Sequence, residues 1–261
     1  MLQDHIARYK SLNLGDVVDY DKFNLFAITA HSTQIEGATL TQEETALLID
    51  EGITPKGKPL EHSLMVKDHH EALRFGLELG DSDRLISTEM IQALNALVMK
   101  STGQVYRTAL GDVDASKGEL RKGQVYVEAR YFPGYDKVPR LLKELCNSIN
   151  DQIAAIKNDE EKLRLSFSTH FNFMSIHPFY DGNGRTARLL MNLLQQRFEL
   201  PLSVVYKEDK LDYYQALEES RDEDSLQPFY NFMEAQYVRY LKAEINRYEN
   251  QLKGGGMNLL F

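Results

Sequence analysis

His177-Pro178-Phe179-Tyr180-Asp181-Gly182-Asn183-Gly184-Arg185-Thr186-Ala187-Arg188 is the stretch on which the reading of this chain turns. Before it, Phe167, His170, Phe171 and Met174 recur at three- and four-residue spacing, the apolar face of a helix. Pro178 disfavours a helical residue before it, so that helix should end near Ile176 or His177. Asp181-Gly182-Asn183-Gly184 reads as a tight turn with some positive φ angles. Beyond the turn, Leu189, Leu190, Leu193 and Leu194 restore a helical stripe. The glycines therefore stand just before a helix N-terminus, where free N–H groups and the positive end of the macrodipole make an anion site. Arg185 and Arg188 lie three apart on one face of the first turn. Positive side chains there oppose the dipole, a conflict that a bound anion removes. A base, a hard-metal ligand, an anion cradle and two arginines are the parts needed to handle a nucleoside triphosphate.

Competing motifs fail on their own terms. A Walker-type loop needs Gly-x-x-x-x-Gly-Lys-Ser/Thr, and no such run occurs. Asp181-x-Asn183 could open a calcium loop, but Arg185 and Asn192 stand where that loop wants Asp or Asn and then Glu. His69 and His70 are adjacent and Cys146 has no partner, so a zinc site is not expected. A plain helix–turn–helix with arginines paired to acids would explain the glycines, but not His, Asp, Asn and two Arg together.

Working outward, helical periodicity dominates. Leu85–Met99, Val138–Ile156, Leu163–Met174, Arg185–Arg197 and Phe229–Leu252 all read as helices, and Leu14 to Ile53 supplies more. Ser32 and Glu36 share a helical face, Gly37 can end that helix, and Thr41 with Glu44 forms a capping box for the next. Ile53-Thr54-Pro55-Lys56-Gly57-Lys58-Pro59 is a loop of breakers. Val125, Val127, Ala129 and Tyr131 alternate, so a strand or hairpin arm is expected there. His170 reads as a satisfied core residue, Cys146 as a small buried one, and His62, His69 and His70 as surface or packing histidines. With 261 residues and 43% hydrophobic content the chain can bury a sizeable core. Its formal charge of −9 argues against nucleic acid as a main partner. One cysteine excludes an intramolecular disulfide, and the start Met1-Leu2-Gln3-Asp4-His5 lacks the regions of a signal peptide, so a cytoplasmic location is expected. No run approaches the ~20 apolar residues of a membrane span.

At the quoted stretch the chain resembles the Fic family, whose motif is His-Pro-Phe-x-Asp-Gly-Asn-Gly-Arg-x-x-Arg; every fixed position is present. The resemblance runs from about Phe26 to about Tyr240. It implies an all-α, Fic-type helical bundle with a small β-hairpin flap. It also implies an autoinhibited protein adenylyltransferase that moves AMP from ATP onto a Ser, Thr or Tyr hydroxyl of a target protein. On that resemblance His177 is the general base and Asp181 the Mg²⁺ ligand. Gly182, Asn183 and Gly184 form the anion hole, Asn183 and Arg185 hold phosphate oxygens with their side chains, and Arg188 grips the γ-phosphate. Ser32-Thr33-Gln34-Ile35-Glu36-Gly37 is similar to the family's inhibitory motif, Ser/Thr-x-x-x-Glu-Gly/Asn. That implies Glu36 pairs with Arg188 and that self-modification follows when the pair is removed.

The segment at about 121–132 resembles the family's flap, which docks the target by strand addition, although Phe132-Pro133-Gly134 replaces the common Pro-Pro pair. Lys210-Leu211-Asp212-Tyr213-Tyr214 resembles the segment that gives a tyrosine to the adenine pocket, and Tyr214 is the choice, with a core role as its rival. The family's Asn is not evident after it. The resemblance divides the chain into an inhibitory helical segment (1–57), the Fic domain (58–253) and a tail (254–261). Homodimers are common in the family. Two alternatives stand beside the leading reading. One keeps the site but removes AMP from a target or transfers another phosphate-containing group. The other is a non-catalytic protein that senses ATP.

Overall fold

Helices dominate the chain, as the periodicity predicts. The computed structural model describes residues 2–13, 20–127 and 130–253. In chain order the helices are α1 (Leu2–Ser11), α2 (Tyr20–Ile35), α3 (Gln42–Glu51), α4 (Leu60–Gly80), α5 (Thr88–Val98), α6 (Val138–Ala155), α7 (Asp159–Ile176), α8 (Asn183–Arg197), α9 (Lys210–Asp222) and α10 (Gln227–Lys253). Two antiparallel hairpins lie between α5 and α6: β1 (Val105–Tyr106) with β2 (Val113–Asp114), and β3 (Tyr126–Val127) with β4 (Arg130–Tyr131). The fold is an all-α bundle with two small hairpins.

The centre of the bundle is α8. Ala187, Leu189, Leu190, Met191, Leu193 and Leu194 are all buried, and so are the polar Asn183, Arg185, Thr186, Arg188, Asn192 and Gln195, so this helix lies inside on nearly every side. It packs on α7, α4 and α5. Towards its C-terminal end the buried Gln195 is satisfied locally: it donates to Ser166 Oγ at 3.0 Å and Ser203 Oγ at 2.7 Å, and accepts from the Ser203 N–H at 2.7 Å. Ile6, Ile28 and Ile35 from the first two helices share one core with Phe167, Phe173, Tyr213, Phe229 and Tyr237.

Local signals set the ends of several elements. Thr41 Oγ1 accepts from the Glu44 N–H at 3.2 Å while Glu44 Oε2 accepts from the Thr41 N–H at 2.8 Å, the expected capping box. Asn158 caps α7 by accepting from the Glu161 N–H at 2.9 Å, and three acids in the first turn complement the dipole. That helix therefore starts earlier than Leu163, and Ser87 starts α5 later than Leu85 by capping the Met90 N–H. Cys146 and His170 are buried as expected.

The periodicity misses α4 altogether. Its inward face is built from Ser63, Val66, Asp68, His69, Ala72, Leu73 and Gly76, too many small and polar residues for an apolar stripe. Asp68 belongs there because it accepts from the Ser101 N–H and hydroxyl, at 2.6 and 2.9 Å. The alternating run at 125–131 is a hairpin rather than one strand, with Tyr126 opposite Tyr131 and Val127 opposite Arg130. Glu128 and Ala129 lie outside the described residues, as do the tail 254–261 and residues 14–19 of the N-terminal segment. Among the described residues no helix is long and apolar enough to cross a membrane.

Candidate active site

The motif folds as a helix end, a turn and a helix start. His177 takes the left-handed position that closes α7, with φ 51°, and its N–H returns to the Phe173 carbonyl at 3.0 Å. Gly182 opens α8 at φ 78°, a value that favours glycine. No side chain caps that helix, so its first N–H groups are left for a ligand.

Asn183 has a use that the sequence does not suggest. Its Oδ1 accepts from the Phe179 N–H at 3.0 Å and its Nδ2 donates to the Phe179 carbonyl at 2.9 Å, in a buried setting. Both amide atoms are thus engaged in closing the loop; the second Nδ2 hydrogen and the backbone N–H are the donors it has left for an anion.

Arg185 is almost fully buried; it donates to Asp181 Oδ1 at 3.3 Å and lies 3.2 Å from the Met99 sulfur. Arg188 donates through Nε to Ser32 Oγ at 2.9 Å, and through one terminal nitrogen to the Ser32 carbonyl at 2.9 Å and Glu36 Oε1 at 2.7 Å. Arg185 Nε and the other terminal nitrogen of Arg188 are buried with no hydrogen-bond partner among the described residues. Buried donors left unpaired are costly, and a phosphate oxygen is the acceptor their chemistry calls for.

Glu36 sits at the same place from the other side. A Cβ built on Gly184 would lie 2.5 Å from Glu36 Oε1, so the carboxylate rests against the first turn of α8, and only glycine leaves room for it. Burial pushes the Glu36 carboxyl up, but the Arg188 and Arg185 guanidiniums outweigh it and hold it below the usual carboxylate range. The carboxylate is thus a charged group lodged where an anionic ligand would be stabilised. Ser32 lies one helical turn before it on α2, and both touch Arg188.

His177 is shaped by neighbours that sequence reading did not pick out. The Phe132 ring stacks on its imidazole with centroids 4.1 Å apart. Arg121 is buried and donates through Nε to the His177 carbonyl at 2.8 Å. Burial first, and the Arg121 charge second, push the imidazole pKa down to about 4, so at neutral pH the ring is an unprotonated base. Asn95 of α5 donates to the Asp181 carbonyl at 3.2 Å and to Thr186 Oγ1 at 3.1 Å, pinning the turn from beneath. The signal for Asn95 was present: it is a polar residue within the buried Ile91, Leu94 and Val98 face. Arg121 gave no such signal, since a lone arginine in a loop reads as surface.

Asp181 keeps a side chain 53% exposed at the mouth of the turn. Among the described residues no group of three or more His, Cys, Asp or Glu could cage a metal. A lone exposed carboxylate suits Mg²⁺, which takes one or two carboxylates and completes its shell with water and substrate phosphates. Tyr214 stands 36% exposed beside fully buried Tyr213, whose hydroxyl pairs with His170 Nε2 at 2.8 Å. Of the two tyrosines only Tyr214 is open to solvent, and the Lys210 ammonium lies 5.8 Å from its ring centroid. The β3–β4 hairpin exposes Tyr126, Val127 and Tyr131, and Arg130 pairs with Glu218 of α9.

Residues 85–195 match the Fic/DOC family. The chain is 30% identical over 204 residues, 78% of its length, to the protein adenylyltransferase Fic of Drosophila grimshawi, and equally to that of Drosophila melanogaster. It spans about two fifths of the length of these curated relatives, 39% and 38%. A Fic-domain-containing signaling protein from Bacteroides thetaiotaomicron superposes with a TM-score of 0.82 at 23% identity, over 95% of this chain and 97% of that one. Fic-1 from C. elegans superposes with a TM-score of 0.76 at 26% identity, over 98% of this chain and 72% of the other. With the complete motif in the geometry described above, the chain belongs to the Fic/DOC family.

Proposed function

We propose that the protein transfers AMP from ATP to a Ser, Thr or Tyr hydroxyl of a target protein, and that Glu36 holds this activity back. The observation that carries the reading is the juxtaposition of an unprotonated, buried His177 with the uncapped N-terminus of α8. His177 takes the proton of the target hydroxyl, the freed oxygen attacks the α-phosphorus, and the bond to pyrophosphate breaks. The N–H groups at Gly182–Gly184, with Arg185 and Arg188, carry the charge on the phosphate oxygens. Asp181 would hold Mg²⁺, which when bound with the nucleotide neutralises phosphate charge. Tyr214 offers its exposed ring to adenine, and the exposed β3–β4 hairpin offers a strand edge to the target.

The Glu36–Arg188 pair supports inhibition by competition. Arg188 cannot give its best donors to a γ-phosphate while Ser32 and Glu36 hold them. Replacing Glu36 therefore frees both the arginine and the space over Gly184. Residues 1–57 act as the inhibitory segment on a catalytic domain that begins near 58. The test is incubation of Glu36→Gly with α-labelled ATP and Mg²⁺, alone and with cell lysate. Label on the enzyme or a target that disappears in the Glu36→Gly, His177→Ala double variant is the expected result. ATP binding without transfer would sink the reading.

A further inference from the structure

Arg121 is a buried cation that the proposed reaction does not use. It is 2% exposed, and carbonyl oxygens rather than carboxylates take its donors. Its Nε reaches the His177 carbonyl at 2.8 Å, one terminal nitrogen the Gly123 carbonyl at 3.0 Å, and the other the Pro133 carbonyl at 2.5 Å, with a longer contact of 3.4 Å to Ile176. Its own backbone N–H donates to the Pro178 carbonyl at 3.0 Å.

These acceptors fall into two sets. Gly123 and Pro133 flank the β3–β4 hairpin on its two sides, and Ile176, His177 and Pro178 are the end of α7 that presents the imidazole. A guanidinium has five donors in a rigid planar fork, so one side chain can bind several fixed carbonyls at once. A lysine ammonium is a point donor on a flexible stem and cannot hold that spread. Phe132, next to Pro133, lies on the His177 ring at 4.1 Å. The hairpin base, the arginine and the histidine are therefore one unit, clamped at both ends of the flap.

We propose that Arg121 is a positioning residue that fixes His177 relative to the flap, so that a hydroxyl presented by a strand docked on β3–β4 arrives within reach of the imidazole. This rests on the transfer reading above. The hub joins what the target touches to what takes its proton, and it does so without touching either substrate. The charged groups facing His177 are Arg121, Arg221 from α9 and Glu36 from the turn after α2, with the uncharged Phe132 on the ring face. Of these, Arg121 has the largest electrostatic effect on the ring, so its removal should also register in the acid–base behaviour of His177.

The experiment compares Arg121→Gln and Arg121→Lys, each in the wild-type and Glu36→Gly proteins. ATP binding is titrated, transfer is resolved into kcat and KM, and the His177 ring is titrated by NMR. The expected result is ATP affinity within about twofold of the parent and kcat lower by on the order of 100-fold, the cost of a small misplacement of reacting groups. The His177 midpoint should rise in Arg121→Gln and stay low in Arg121→Lys, which keeps the charge. Parental kcat in Arg121→Lys, or a loss of transfer matched by an equal loss of ATP affinity, would overturn the proposal. Should Arg121→Gln fail to fold, Arg121→Lys alone decides through kcat. Absence of transfer by Glu36→Gly itself would count against the function reading; the NMR titration would still judge Arg121, with an unmoved His177 midpoint in Arg121→Gln overturning the inference.

Discussion

The two ends of the motif are held in opposite ways. At the His177 end, a buried arginine is satisfied by neutral carbonyls of the protein's own backbone, and no ligand can replace them without unfolding the loop. At the Arg188 end, a buried arginine is held by a hydroxyl and a carbonyl of Ser32 on α2 and by the Glu36 carboxylate just past that helix, with one terminal nitrogen unpaired among the described residues, and a phosphate can offer acceptors of the same kind. One end is fixed geometry and the other is an exchangeable contact. Under the proposed reaction, the difference teaches where regulation can act: on the group proposed to meet the leaving pyrophosphate, leaving the proposed base in place throughout.

The comparison is broken most directly by removing the fixed end. His177→Ala in the Glu36→Gly protein is expected to lower transfer by ~10²–10⁴-fold, the usual worth of a positioned general base, with ATP affinity unchanged by titration. The exchangeable end should respond in the other direction. Glu36→Gly alone should raise transfer on the order of 10- to 100-fold, which is what losing a competing hydrogen bond between charged groups of roughly 1.5–3 kcal/mol delivers. Equal label transfer by wild type and Glu36→Gly would remove the distinction between the two ends.

A pH profile sharpens it further. The free-enzyme base is reported by kcat/KM. With the His177 pKa pushed down to about 4, the acid limb should lie far below the ordinary histidine value of ~6.5, and activity should persist as pH falls through 6. Glu36 is also held below its usual range, so protonation should not release inhibition above the ordinary carboxylate region. A rise in wild-type transfer between pH 7 and 5 would contradict this. The smallest effect is expected at Thr41→Ala. Losing the reciprocal cap of α3 should cost ~1 kcal/mol in a denaturant titration, with transfer unchanged because the cap touches neither end of the motif.

Much of the site was legible because its parts are adjacent in sequence. A proline, two glycines and a leucine stripe dictate helix, turn and helix, and this local order alone places His177 at one helix end and an anion site at the next. The capping box at Thr41 and Glu44 and the left-handed Gly37 were legible for the same reason, since each depends on residues a few positions apart. The loop-closing use of Asn183 was not legible, because a side-chain amide beside a turn can bond inward or outward and only the folded loop brings it to the Phe179 backbone. Helix α4 was illegible because its inward face faces partners that accept small and polar groups, as Asp68 does at Ser101.

By itself the sequence determined the helical class, the order of elements around His177–Arg188 and the chemistry available there, because periodicity, turn residues and side-chain type are local properties. Only the tertiary structure decided which partners those groups have. That α2 brings Glu36 against Gly184 and Arg188, that Phe132 covers His177, and that Arg121 joins the flap to the end of α7 all depend on segments tens of residues apart. Such encounters follow from how the helices pack on α8, and packing is a sum over the whole core that no short stretch contains.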